Sequence, residues 1–112
     1  MLRSLLHRLA ALILLFLPLG EISASEPTNV EIAIASYAFG PDSITVAPGT
    51  TVTWVNRDEV PHNVVATDGS FRSAALDSGE SFSVTFQTAG SFTYFCALHP
   101  HMTGQVVVQP SP

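Results

Sequence analysis

Cys96, His99 and Met102 follow one another at intervals of three residues in the segment CALHPHM, residues 96–102. A thiolate and a thioether are soft metal ligands, and an imidazole suits copper, zinc and iron alike. Cys96 is the only cysteine of the chain and cannot form an internal disulfide. Taken alone, a single cysteine is most simply interpreted as a buried, inert thiol. The histidine and methionine spaced behind it favour metal binding instead.

A fourth ligand has to come from elsewhere in the chain, and His62 in the segment EVPHNVV (59–65) is well placed to supply it. Two imidazoles and a thiolate with a weak axial thioether describe a blue-copper electron-transfer site. Zinc also binds Cys and His, but structural zinc sites close with Cys, His or a carboxylate rather than methionine. We therefore predict one type 1 copper ion, alternating between Cu(I) and Cu(II), with four ligands: His62, Cys96, His99 and Met102.

Neighbouring polar residues give no sign of catalysis. Four ligands leave no open coordination position, unlike catalytic metal sites, and the chain has no G-x-S-x-G motif and no phosphate-binding loop. The acidic pair Asp58-Glu59 before His62 is interpreted as solvated loop charge, and His101 as an exposed loop residue. We predict that the chain is not an enzyme.

The elements that must position these residues are strands. Val, Ile, Thr, Phe and Tyr recur in short alternating runs broken by Gly, Pro, Asp and Ser, which is typical of an all-β sandwich. A Greek-key sandwich of seven to eight strands is predicted. Trp54 is expected in its core, and Gly40-Pro41 at a corner. The strands are expected within residues 29–35, 43–56 (two strands joined at Pro48-Gly49), 62–67, 71–76 (a weak edge), 79–87, 91–96 and 104–109.

The first 25 residues have the layout of a secretory signal peptide. Arg3 and Arg8 precede the apolar run LAALILLFLPLG (9–20), and small and polar residues follow it. This run is shorter than the roughly 20 apolar residues that a membrane-spanning helix needs. Residues 26–112 are then the mature domain, exported to the periplasm, with cleavage after Ala24 or Ser25; an uncleaved anchor is the alternative.

The mature domain is acidic. Residues 26–112 contain eight acidic and two basic residues, a net charge of −6, and no lysine. Such a surface repels nucleic acid and anionic lipid, so neither is expected as a partner. We expect a monomer without stable membrane association once the signal is removed. Its charge suits a partner with a basic docking face.

The segments PHNV (61–64) and GSFTYFCALHPHMTGQVVV (90–108) resemble the cupredoxin family, and within it the amicyanin group, which has the same ligand-loop spacing. This resemblance implies a cupredoxin fold and gives the four predicted ligands the same roles. It also implies that Asn63 ties the His62 segment to the cysteine loop. In the family the second histidine reaches the surface through an apolar patch. The corresponding residues are Val60, Pro61, Leu98, Pro100 and Met102, around His99.

The resemblance implies a soluble one-electron carrier between redox proteins, with a quinoprotein amine dehydrogenase as donor and a c-type cytochrome as acceptor. A periplasmic copper carrier or buffer, which delivers copper rather than electrons, is the alternative. One departure is Leu98, where the amicyanin group has proline. We expect the backbone N–H of Leu98 to donate to the sulfur of Cys96 and thereby raise the reduction potential.

Overall fold

The computed structural model describes residues 28–111, which form eight β-strands. No element between residues 28 and 111 is a helix that is long and apolar enough to cross a membrane. Buried and more exposed residues alternate along the longer strands, as half-buried strands require. The strands are β1 (Asn29–Ala35), β2 (Ala38–Gly40), β3 (Ser43–Val46), β4 (Thr50–Asn56), β5 (Val65–Ala66), β6 (Ser81–Phe86), β7 (Gly90–Phe95) and β8 (Thr103–Val108).

The first sheet has the strand order β2-β1-β4-β6. Strand β1 runs parallel to β4 and places Ile32 beside Trp54, while β6 runs antiparallel to β4 and places Phe82 on the other side of Trp54. Because side chains alternate between the two faces of a strand, these three residues share one face. That face is the inner one, since Trp54 and Ile32 are fully buried.

The second sheet has the strand order β3-β8-β7-β5. Strands β7 and β8 are antiparallel, and β3 joins β8 in parallel. The predicted turn at Pro48-Gly49 carries the chain from β3 in this sheet to β4 in the first one. Gly49 has a φ of 92°, a conformation that other residues rarely adopt, so glycine is required at this turn.

The core lies between the two sheets. Trp54 of the first sheet packs edge-to-face on Tyr94 of the second, with ring centroids 5.2 Å apart. Ile34, Val106 and Val52 are also fully buried. The predicted all-β sandwich of seven to eight strands is confirmed, and so is Trp54 as a core residue. The predicted signal peptide, residues 1–25, lies outside the described residues.

One strand was not predicted, and one local prediction was wrong. Strand β2 was missed; a turn at Ser36-Tyr37 folds it back onto β1. The predicted corner at Gly40-Pro41 is present, since β2 ends at Gly40 and residues 41 and 42 form a bend before β3. Residues 71–76 form no strand and contribute two isolated bridges, Val65 to Arg72 and His62 to Leu76. The ladder is interrupted there because the hydroxyl of Ser73, rather than a carbonyl, accepts the hydrogen bond of Val64 N–H.

Candidate metal centre

Three of the four predicted ligands lie in the loop between β7 and β8. The pairing of Phe95 with Thr103 closes the two strands at its base. Inside the loop, Cys96 N–H donates to the carbonyl of Met102 (3.1 Å), His99 N–H donates to the carbonyl of Cys96 (3.2 Å), and Met102 N–H donates to that of His99 (2.9 Å). The segment is therefore a hydrogen-bonded turn, whose fixed backbone holds the three residues in place relative to one another.

The fourth predicted ligand, His62, lies in the connection between β4 and β5. Its backbone forms a two-way bridge with Leu76: His62 N–H donates to the Leu76 carbonyl (3.2 Å), and Leu76 N–H donates back (2.7 Å). The side-chain amide of Asn56, at the end of β4, donates to the carbonyls of Val60 and Leu76. These bonds fix the loop from both ends, so His62 is held at the end of the sandwich where the cysteine loop lies.

The donor atoms of His62, Cys96 and His99 all lie within 4.8 Å of one another. The sulfur of Cys96 is 3.8 Å from Nδ1 of His62 and 3.9 Å from Nδ1 of His99. In zinc sites a metal–sulfur bond is about 2.3 Å long and a metal–nitrogen bond about 2.05 Å. With these lengths the sulfur and nitrogen atoms are about 3.8 Å apart when the sulfur–metal–nitrogen angle is trigonal, and about 3.6 Å apart when it is tetrahedral. The arrangement fits one small metal ion, closer to trigonal than tetrahedral.

Burial sets three of the four side chains apart from ordinary loop residues. His62 and Cys96 are fully buried, Met102 is 2% exposed, and His99 is partly exposed. Met102 belongs to the same buried cluster as Cys96 and is joined to it by the loop hydrogen bonds. Removing a thiol, a thioether and an imidazole from water together suits a soft metal ion such as copper.

Asn63 links the two loops. Its side-chain oxygen accepts a hydrogen bond from Ala97 N–H (2.7 Å), and its own N–H donates to the sulfur of Cys96 (3.4 Å). The predicted tie between the His62 segment and the cysteine loop is thus present. Among residues 28–111, Asn63 rather than Leu98 donates to this sulfur, so the expectation about Leu98 N–H was wrong. The turn that contains Leu98 is closed instead by His99 N–H, which donates to the carbonyl of Cys96.

Asp58 is not the solvated charge that was predicted. Its side chain is only 15% exposed, and its Oδ2 lies 2.9 Å from Nε2 of His62. Backbone N–H groups of Ser36 (2.7 Å) and Tyr37 (2.9 Å) donate to the same carboxylate. These contacts hold the pKa of Asp58 below its usual value, with the Tyr37 hydrogen bond as the largest cause. The carboxylate favours the His62 tautomer that carries its proton on Nε2, leaving Nδ1 free to face Cys96.

Tyr37 is a residue of the site that the sequence did not indicate. Its ring stands edge-to-face with the imidazoles of both His62 (centroids 5.4 Å apart) and His99 (5.0 Å). It follows Ser36 in a two-residue turn without glycine or asparagine, and both residues have positive φ. The sequence signal that a turn of this kind usually gives is therefore missing.

The surface around His99 is apolar, as the resemblance implied, but its composition differs. Tyr37 and Leu98 are the exposed large hydrophobic residues of the described chain, at 46% and 48%. Pro61 and Pro100 are exposed and Val60 is partly buried, whereas Met102 is buried and does not belong to this surface. His101 is exposed, as predicted, and lines a small groove with Tyr37 and Asp42.

A family model described as copper binding proteins of the plastocyanin/azurin family matches residues 27–109. The chain belongs to this family. The donor set fits that family's metal, because the donor atoms of His62, Cys96 and His99 lie within 4.8 Å of one another and the thioether of Met102 is buried in the same loop. Copper is therefore the cofactor of the site, and the predicted resemblance to cupredoxins is confirmed.

Individual relatives agree with this result. Amicyanin from Paracoccus denitrificans is 38% identical over 85 residues, which are 71% of this chain and 65% of that protein. A solved structure of a reduced amicyanin mutant has a TM-score of 0.69 at 29% identity, covering 78% of this chain and 87% of that one. The copper-containing nitrite reductase from Thermus scotoductus SA-01 has a TM-score of 0.71 at 29% identity, covering 80% of this chain but 24% of the reductase.

Proposed function

We propose that residues 26–112 form a soluble type 1 copper protein that carries one electron at a time between redox proteins, and that its metal ligands are His62, Cys96, His99 and Met102. The observation that carries this proposal is the separation of 3.8 and 3.9 Å between the Cys96 sulfur and the two Nδ1 atoms. When bound, copper supplies a one-electron couple between Cu(II) and Cu(I). No vacant coordination position is proposed, so substrate chemistry at the metal is not expected.

The protein's own part in this function is to keep the donor atoms in place in both charge states. Cys96 and His99 are fixed by the loop hydrogen bonds, His62 by the bridge to Leu76, and the two loops by Asn63. A frame that does not rearrange lowers the energy barrier to electron exchange. The hydrogen bond from Asn63 N–H withdraws charge from the sulfur and so favours the reduced form.

The proposed route for electrons is the partly exposed edge of His99. Around it, exposed Leu98 and Tyr37 form an apolar surface on which a partner can dock without desolvating charge. Electron-transfer encounters are brief and bury little area, which suits so small a surface. The proposed location is the periplasm. A quinoprotein amine dehydrogenase as donor and a c-type cytochrome as acceptor are the proposed partners, and the acidic surface suits basic docking faces on both.

The first experiment is an optical spectrum of the copper-loaded protein. An intense visible band from thiolate-to-Cu(II) charge transfer is expected, and it should disappear in Cys96→Ser. His101→Ala is the matched control, because His101 is an exposed histidine of the same loop outside the donor set. A colourless copper-loaded protein, or an unchanged spectrum in Cys96→Ser, would refute the metal centre.

A second experiment separates electron carriage from copper delivery. The rate of electron exchange between oxidised and reduced protein is compared with the rate of copper loss to a chelating acceptor. Fast electron exchange with slow copper loss is the expected result. The opposite order would overturn the electron carrier and support a copper carrier or buffer.

A further inference from the structure

The turn between β1 and β2 lies against the candidate metal centre although neither strand supplies a ligand. Its central residues, Ser36 and Tyr37, have φ angles of 54° and 58°, a region that residues with side chains seldom occupy. Both backbone N–H groups donate to the carboxylate of Asp58. Hydrogen bonds to a charged acceptor are stronger than neutral ones and can hold an unfavourable turn in place.

The same carboxylate also reaches the metal centre. Asp58 Oδ2 accepts from Tyr37 N–H and lies 2.9 Å from Nε2 of His62. The backbone of the turn and the ring of His62 are therefore both attached to one partly buried side chain. Asp58 is in turn held by its own N–H, which donates to the side-chain oxygen of Asn56 (2.9 Å).

With its backbone fixed, Tyr37 brings its ring into contact with the imidazoles of both His62 and His99. The ring planes of Tyr37 and His62 are 88° apart and those of Tyr37 and His99 are 89° apart, so both contacts are edge-to-face. The two imidazoles lie 4.8 Å from each other. His99 depends most on Tyr37, because His62 has Asp58 at its Nε2, whereas within residues 28–111 no carboxylate contacts the ring of His99.

We propose that Tyr37 is a positioning residue of the metal centre. Its ring clamps the two imidazoles at the separation that one metal ion requires, and Asp58 anchors the turn that carries it. This proposal rests on the proposed ligand set but not on electron carriage. It assigns a role in the metal centre to the turn between β1 and β2, which supplies none of the proposed ligands.

The test compares Tyr37→Ala and Tyr37→Phe with the parent protein, and uses Leu98→Ala as the matched control. Leu98 is as exposed as Tyr37 and adjoins His99 in sequence, but it has no ring to contact the imidazoles. The first measurement is NMR relaxation of the His62 and His99 rings in metal-free protein. Tyr37→Ala is expected to mobilise the ring of His99 more than that of His62, while Tyr37→Phe and Leu98→Ala leave both as ordered as in the parent.

The second measurement is the rate at which a chelator removes copper, followed by the visible band. Tyr37→Ala should release copper roughly three- to tenfold faster, the range expected for losing aromatic contacts of this kind. Tyr37→Phe should stay within about twofold of the parent. Unchanged ring order and release in Tyr37→Ala would overturn the clamp, and so would Tyr37→Phe behaving like Tyr37→Ala. If no visible band forms in the parent protein, the metal proposal fails while the NMR comparison still decides the clamp.

Discussion

Gly104 tolerates no side chain, because Tyr94 of the neighbouring strand fills the space above it. The two residues are opposite each other in the β7–β8 ladder. A Cβ at position 104 would lie 2.8 Å from Cε2 of Tyr94 and closer still to Cζ and the hydroxyl oxygen, whereas real Cβ contacts are essentially never shorter than 3.0 Å. In Gly104→Ala the tyrosine ring must therefore move.

The ring of Tyr94 has nowhere favourable to go. It is 1% exposed and lies between Phe39, 4.8 Å away by ring centroids, and Trp54, 5.2 Å away. Adding a methyl group to a well-packed core costs about 1–3 kcal/mol, and we expect the upper end here, about 3 kcal/mol. For a domain of this size each kcal/mol corresponds to roughly 4–8 °C, so Tm should fall by about 12–24 °C.

The assay is urea and thermal unfolding of metal-free protein, followed by the fluorescence of Trp54. A second variant, Tyr94→Leu, removes the obstructing ring atoms and gives a double-mutant cycle. Gly104→Ala should cost less than about 1 kcal/mol in the Tyr94→Leu background, because the added methyl then meets no ring. The steric reasoning is refuted if Gly104→Ala costs less than about 1 kcal/mol in the parent, or costs the same in both backgrounds.

Three further predictions concern charge. Burial raises the pKa of Tyr94 to about 12 from 10.0, against an opposing effect of the Trp54 indole. The free energy of unfolding should therefore fall by roughly 2 kcal/mol as pH rises from 10 to 12. Urea unfolding across this range should show that Tyr94→Phe removes most of that loss, and an identical slope in both proteins would contradict it. The pKa of Asp58 is lowered from 3.8, so the stability it contributes is present above that value and lost as pH falls below it. Acid unfolding of Asp58→Asn should therefore be less steep below about pH 4, the ordinary pKa of a free aspartate; a curve parallel to the parent's would count against this role. Arg57→Ala should lower the free energy of unfolding measured in urea by less than about 1 kcal/mol, because the side chains of the Arg57–Glu31 ion pair are 55% and 52% exposed. A larger loss that does not depend on salt would contradict this prediction.

Features that depend on local spacing were predictable from the sequence. The interval between Cys96, His99 and Met102 placed three predicted ligands in one loop, and alternation of apolar residues located strands such as β1 and β6. In β6, the predicted inward residues Phe82, Val84 and Phe86 are indeed the less exposed ones. Such patterns can be recognised in a sequence because each one involves only residues that are close together along the chain.

Features that depend on distant contacts were not predictable. Tyr37 meets His62 and His99 only after two sheets have closed, and no residue near it in sequence marks that meeting. Asp58 looked like any loop carboxylate, because its donors at positions 36 and 37 come from another strand pair. Strand β2 is three residues long, too short for an alternating pattern to be recognised.

The hairpin loop of residues 96–102 concentrates most of the proposed metal site in seven consecutive positions. It holds three of the four proposed ligands. The pairing of Phe95 with Thr103 and the hydrogen bond from Cys96 N–H to the Met102 carbonyl close the loop at its base, where β7 ends and β8 begins. Replacements at its exposed positions, 98, 100 and 101, can alter the surroundings of the metal while the sandwich keeps its packing, whereas Cys96 and Met102 also belong to the buried core. Substitutions in one short stretch of the gene can thus change the chemistry around the metal without requiring a new fold.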